Sequence, residues 1–142
     1  SPDLLQKAID VWAAIGSRVQ RMTPQDHDAA FAAVSHLPHV LAFAYFNSVA
    51  GQQAGPDYLS LAGPGFRDFT RIAASDPMVW RDVLMSNREE VLKQSEHFRR
   101  ELEGLEQALR SSDAEALKEQ IRRASQARAG WHMNGNPSGS TR

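Results

Sequence analysis

Apolar residues in this chain recur at three- and four-residue intervals almost from end to end, and nowhere do they alternate long enough to found a sheet. The one β-like patch, Ser17–Met22, is short and isolated. Such a pattern confines the chain to an all-α fold, and the punctuation agrees. Thr23-Pro24-Gln25-Asp26 offers a capping hydroxyl, a proline at the first helical position and a carboxylate near the positive helix end. The helix it opens should run towards Ser48, with Ala30, Phe31, Val34, Leu37, Leu41, Ala44 and Tyr45 on its apolar side. Pro38 removes a backbone donor and crowds the carbonyl of Val34, so a kink is expected there.

Further helices follow from the same signals. Leu5, Ala8, Ile9, Trp12 and Ile15 form a first stripe, with Ser1 as a cap, Pro2 and Asp3 in the first turn, and Gly16 ending it. Residues 51–65, which contain four Gly and two Pro, read as loop with one short helical turn. Ser75-Asp76-Pro77 should start a long helix reaching about Arg110. Within it Leu84, Val91, Phe98 and Leu105 recur every seven residues, joined by Leu102 and Leu109, a seam suited to packing along another helix. Ser112-Asp113 caps a last helix carrying Leu117, Ile121, Ala124 and Trp131 on one side.

At 142 residues the chain suits one domain, 1–131, followed by a tail, 132–142, that lacks an apolar anchor and should be disordered. Sixteen basic against seventeen acidic side chains make no case for nucleic acid or an anionic membrane. Without Cys there is no disulfide framework, zinc knuckle or thiol nucleophile. The longest apolar stretch, residues 37–46, is about half a bilayer-spanning helix, and no secretory leader is visible, so a cytoplasmic protein is expected. Residues 88–128 hold 18 of the 33 charged side chains, nine of each sign, which reads as a solvated helix face laced by Glu89/Lys93, Glu96/Arg100, Glu106/Arg110 and Glu119/Arg123.

Candidate chemistry falls in three clusters. Gly63-Pro64-Gly65 tempts as a phosphate loop, but Asp68 stands where the third glycine belongs and no strand precedes it. His36 and His39, three apart around Pro38, can point into one space. They could join His27 and a carboxylate on a metal, or simply be satisfied by backbone and core partners; a metal site is not expected. In Gly65-Phe66-Arg67-Asp68-Phe69-Thr70-Arg71 two arginines lie four apart, the right groups to clamp a carboxylate. The alternative is an internal ion pair to Asp68 or Asp76. Trp80, one turn into the next helix, reads by composition as core.

Together these segments resemble the C-terminal helical dimerisation domain of the prephenate dehydrogenase family, which includes arogenate and cyclohexadienyl dehydrogenases. HDAAFAAVSHLPHVLAFAY at 27–45, GPGFRDFTRIAASDPMVWRDVLMSNREEVL at 63–92 and RASQARAGW at 123–131 carry the likeness, which covers nearly the whole chain except the tail. The resemblance implies that His36, His39, Arg67 and Arg71 bind substrate, with His39 nearer its side chain and Arg71 holding a carboxylate. It places Gly65, Asp68 and Trp80 at the pocket mouth, with an Asp–Trp contact across a homodimer. Pro64 departs from the glycine that relatives often carry, which removes an N–H.

The family reaction would be oxidative decarboxylation of prephenate or arogenate with NAD or NADP in tyrosine biosynthesis, tyrosine itself being a candidate inhibitor. No catalytic residue and no cofactor site is expected in this chain, because the nucleotide-binding half with its catalytic histidine would precede it. The 142 residues alone should therefore be inactive. A different reading is a non-catalytic helical dimer that binds an aromatic amino acid as a regulatory module. A metal-binding helical domain is the other.

Overall fold

The computed structural model describes residues 2–133 and contains no strand among them. Helix α1 spans Pro2–Ala14, α2 Pro24–Phe31, α3 Leu37–Ala50, α4 Gly55–Ser60, α5 Pro64–Thr70, α6 Pro77–Ser86, α7 Arg88–Arg110 and α8 Ala114–Gly130. A π-helical turn, Ala32–His36, joins α2 to α3, and a 3-10 turn, Arg71–Ala74, follows α5. The chain divides into two compact units: residues 23–102, and the residues on either side of that span. Ser1, expected as a cap, and residues 134–142 of the expected tail lie outside the described residues.

In the flanking unit, α1 ends as the sequence asks. Gly16 takes φ +84, and Ser17 N–H and Gly16 N–H donate to the carbonyls of Trp12 and Ala13, each at 3.0 Å, a left-handed glycine cap. Residues 17–22 then continue without regular secondary structure, so the β-like patch builds no strand. After α7 the turn is tighter: Ser112 sits at φ 54, Asp113 N–H donates to Ala108 O at 2.9 Å, and the Asp113 carboxylate accepts from Ala116 N–H at 2.9 Å to open α8. Gln120 Nε2 donates to Gly104 O at 3.2 Å, where a side chain in place of the glycine hydrogen would press on Gln120.

The 23–102 unit is built on one long helical run. Thr23 Oγ1 accepts from Asp26 N–H at 3.1 Å and donates to the Asp26 carboxylate at 2.7 Å, and Pro24 occupies the first turn. The expected interruption by Pro38 takes the form of the π turn one step earlier, with Leu37 N–H donating to Ala32 O, five residues back. That turn breaks the predicted apolar stripe: Val34 is 74% exposed, whereas Ala32, outside the predicted face, is fully buried. Helices α4 and α5 and the 3-10 turn pack against α3. Gly55 is required where α4 meets α3, because a Cβ there would lie 2.6 Å from Ala50 O. The run Pro24–Ala50, 27 residues, is long and apolar enough to cross a membrane, which the sequence reading of residues 37–46 alone understated. Packing of α4 and α5 on α3 gives that apolar length a role inside the unit.

The long helix expected from Pro77 to Arg110 is two helices. Asp76 caps α6 well, its carboxylate accepting from Met78 and Val79 N–H at 2.9 Å each. Asp76→Ala should cost about 1 kcal/mol, read as a lower melting temperature. Asn87, at φ −116 and ψ 30, then leaves helical geometry, and α7 restarts at Arg88. Among the charged pairs predicted at four-residue spacing, Glu106–Arg110 forms. Lys93 also meets Glu90, Arg99 meets Glu96 and Arg122 meets Glu119, pairs one position closer, and Arg123 adds to the field at Glu119. The basic partners are all exposed to solvent, so these pairs contribute little to stability.

Candidate functional site

The 23–102 unit gathers some of the predicted site residues and separates others. The π turn and the first turn of α3 bring His36 and His39 to one indole. The His39 ring stacks on Trp80 with centroids 3.4 Å apart and planes 19° from parallel, and His36 meets the same indole edge-on at 6.3 Å and 78°. Trp80, on α6, is thus half-buried against the two histidines, and it also lines a recess of about 420 Å³ with Phe43, Ala73 and Ser75.

Each imidazole is held through Nδ1. His39 Nδ1 lies 2.9 Å from Ser35 O, a carbonyl that can only accept, so His39 carries its proton there. His36 Nδ1 lies 3.1 Å from Asn87 Nδ2, whose amide also donates to Asp28 O at 2.8 Å. Asn87 is buried and was not among the predicted residues. A signal was present in Asn87-Arg88-Glu89-Glu90, where a helix-capping residue is followed three later by a carboxylate. The histidines are not gathered for a metal: among the described residues no three His, Cys, Asp or Glu side chains are placed to hold one, and His27 stacks on Phe31 and pairs with Asp28.

Burial lowers the His36 pKa below 6.5, with the charge of His27 adding to that, Asp28 opposing and His39 adding a little. In the unfolded chain the ring protonates first as pH falls, so His36 contributes stability that is present above 6.5 and lost as pH drops towards the folded value. The melting temperature should therefore slope downwards between about pH 7 and pH 5, before carboxylates titrate, and His36→Gln should flatten that slope. Equal slopes in the two proteins would count against it.

The arginines divide. Arg67 Nε pairs with Asp68 at 3.1 Å, both side chains in solvent, the internal ion pair offered as the alternative. Asp76 is occupied as the α6 cap. Arg71, exposed at the head of the 3-10 turn that packs on α3, has no ion-pair or hydrogen-bond partner among the described residues. Gly65 lies elsewhere, on an open apolar groove of about 680 Å³ with Tyr45, Phe66, Phe69, Phe98 and Leu102. Tyr45 meets Phe66 at 5.5 Å and Phe69 at 5.4 Å there, a ring cluster left open on one side.

Gly63-Pro64-Gly65 lacks the surroundings of a dinucleotide loop. Gly63-Pro64-Gly65 follows helix α4 rather than a strand and opens a short helix, and Pro64 at its first position has no N–H to give a phosphate.

Solved structures place the fold in a class: a helical part, under half the length, of prephenate and arogenate dehydrogenases. The prephenate dehydrogenase from A. aeolicus in complex with hydroxyphenyl propionate and NAD+ is similar over 91% of this chain and 46% of its own, with a TM-score of 0.85 and 36% identity. The Synechocystis arogenate dehydrogenase gives 0.80 and 26% identity over 91% and 48%. In sequence, the cyclohexadienyl dehydrogenase of Zymomonas mobilis is 35% identical over 121 residues, 84% of this chain and 41% of that protein. The prephenate dehydrogenase of Bacillus subtilis is 33% identical over 110 residues, 77% of this chain and 30% of that one. The family described as prephenate dehydrogenase, dimerization domain, matches residues 23–123, and the chain belongs to it. It spans under half the length of these relatives.

Proposed function

We propose that this chain is the dimerisation and substrate-pocket half of an enzyme that oxidatively decarboxylates prephenate or arogenate. In that reaction hydride leaves the hydroxyl-bearing ring carbon for NAD(P)+, and the ring carboxylate departs as CO₂, which aromatises the ring. The observation that carries the reading is the His36–Trp80–His39 cluster, in a chain whose fold matches an enzyme bound to hydroxyphenyl propionate, an aromatic ring with a carboxylate side chain.

In this reading the histidines and Arg71 orient the substrate, Arg67 and Asp68 lie at the pocket mouth, and Gly65 lies on the ring groove beside it. The nicotinamide nucleotide and the catalytic histidine belong to the other half. The open ring groove is covered by a second copy of the chain, tyrosine competes for the same pocket, and the enzyme works in the cytoplasm.

The test is a comparison of two proteins. The 142-residue chain alone is expected to reduce no NAD+ with prephenate or arogenate, and the same chain joined to a nucleotide-binding domain of the family is expected to do so. Turnover by the chain alone, or none by the joined protein with either substrate, would overturn the reading.

A further inference from the structure

Among the polar side chains of the 23–102 unit, Asn87 is unusual. It is 8% exposed, it ends α6 and precedes α7, and its carboxamide reaches Asp28 on α2 and His36 on the π turn. The amide orientation is fixed by one contact: Asp28 O, 2.8 Å away, is a carbonyl and cannot donate, so the nitrogen faces it. The same NH₂ group then reaches His36 Nδ1 at 3.1 Å with its second hydrogen. A donor at that distance requires a lone pair on Nδ1, and a neutral imidazole with a lone pair on Nδ1 carries its proton on Nε2.

His39 is the mirror case, because Ser35 O demands the proton on Nδ1 and leaves the lone pair on Nε2. Two histidines on one indole therefore hold opposite tautomers. No hydrogen-bond partner is placed on the Nε2 of either ring among the described residues.

We propose that Asn87 is a positioning residue that locks His36 in its Nε2–H tautomer, so that this ring meets a bound ligand only as a hydrogen-bond donor while His39 meets it as an acceptor. Protonating His36 would put a hydrogen on Nδ1 against the amide hydrogens, at the cost of the Asn87 bond, so His36 is a poor base and a steady donor to a carbonyl or carboxylate oxygen. The groups facing it, His27, Asp28 and His39, include one carboxylate, but the Asp28 side chain is turned to His27. The tautomer stands on this geometry. Its use towards a ligand oxygen rests on the substrate-pocket reading.

Nitrogen NMR of the histidine rings in the 142-residue chain tests it. At neutral pH His36 should show a protonated Nε2 and an unprotonated, hydrogen-bonded Nδ1, and His39 the reverse. Asn87→Ala should let His36 populate both tautomers and raise the pH at which it titrates. Asn87→Asp, with acceptors only, should move the proton to Nδ1 and raise that pH further. A proton on His36 Nδ1 in the unaltered chain overturns the proposal, whatever the folding of the variants. So does a folded Asn87→Ala chain whose His36 tautomer and titration are unchanged. Failure of the substrate-pocket reading would show instead in the kinetics of Arg71 variants and leave these nitrogen shifts untouched.

Discussion

Phe98→Glu is expected to convert an associating chain into folded monomers. In the single chain Phe98 is 37% exposed and borders the groove formed with Tyr45, Phe66, Phe69 and Leu102, so its ring stabilises the protomer less than it would a covered groove. When a second copy covers it, a carboxylate at this position loses its water without gaining a partner, which costs several kcal/mol. A two-fold interface carries the change twice, once from each copy. Even about 3 kcal/mol in total weakens association roughly a hundredfold. Sedimentation velocity at micromolar concentration should show a dimer for the unaltered chain and a monomer for the variant, with unchanged helical circular dichroism. A well-folded monomer for the unaltered chain would defeat the expectation.

The second large effect is on catalysis. In the chain joined to a nucleotide-binding domain of the family, Arg71→Lys should lower kcat/KM on the order of tenfold or more, corresponding to about 1.5–3 kcal/mol for a charge-assisted, two-pronged hydrogen bond. Lysine keeps the charge but not the planar fork. Melting temperature should hardly change, because Arg71 supports no partner among the described residues. Had it been paired to Asp68 or Asp76, the balance would reverse; those carboxylates are committed to Arg67 and to the α6 cap. A variant that melts much earlier and retains kcat/KM would remove Arg71 from the substrate.

Much of this architecture could be read from residues whose effects are local. The caps at Thr23, Asp76 and Asp113, the prolines after two of them and the glycine closing α1 act within a turn of themselves, and the helices begin and end where they direct. The break at Asn87 could not be read from periodicity, because Leu84 and Val91 keep the same seven-residue spacing across it. What ends α6 there coincides with bonds to Asp28 and His36, more than fifty residues earlier in the chain. For the site, the pairing of His36 with His39 was legible from their spacing, whereas composition placed Trp80 in the core and the fold makes it the surface on which both histidines rest. Whether an arginine would be paired depended on which carboxylates were already capping helices, a matter of three-dimensional bookkeeping that spacing alone does not settle.

The π turn at Ala32–His36 also means that the helical run from Pro24 to Ala50 has two phases rather than one. On either side of it the faces repeat normally, but they are offset by one residue. Insertions and deletions in this run are therefore not equivalent. Loss of a residue within 32–36 can be absorbed by reverting to ordinary α-helical spacing, which keeps α2 and α3 in phase but removes the widened turn that presents His36 to Asn87 and Trp80. The same loss between Leu37 and Ala42 has no slack to consume and turns these two buried residues about 100° relative to each other. The turn is thus a point where chain length can vary without unwinding the helix, and where the cost of such a change falls on the alignment of the histidine pair rather than on the fold.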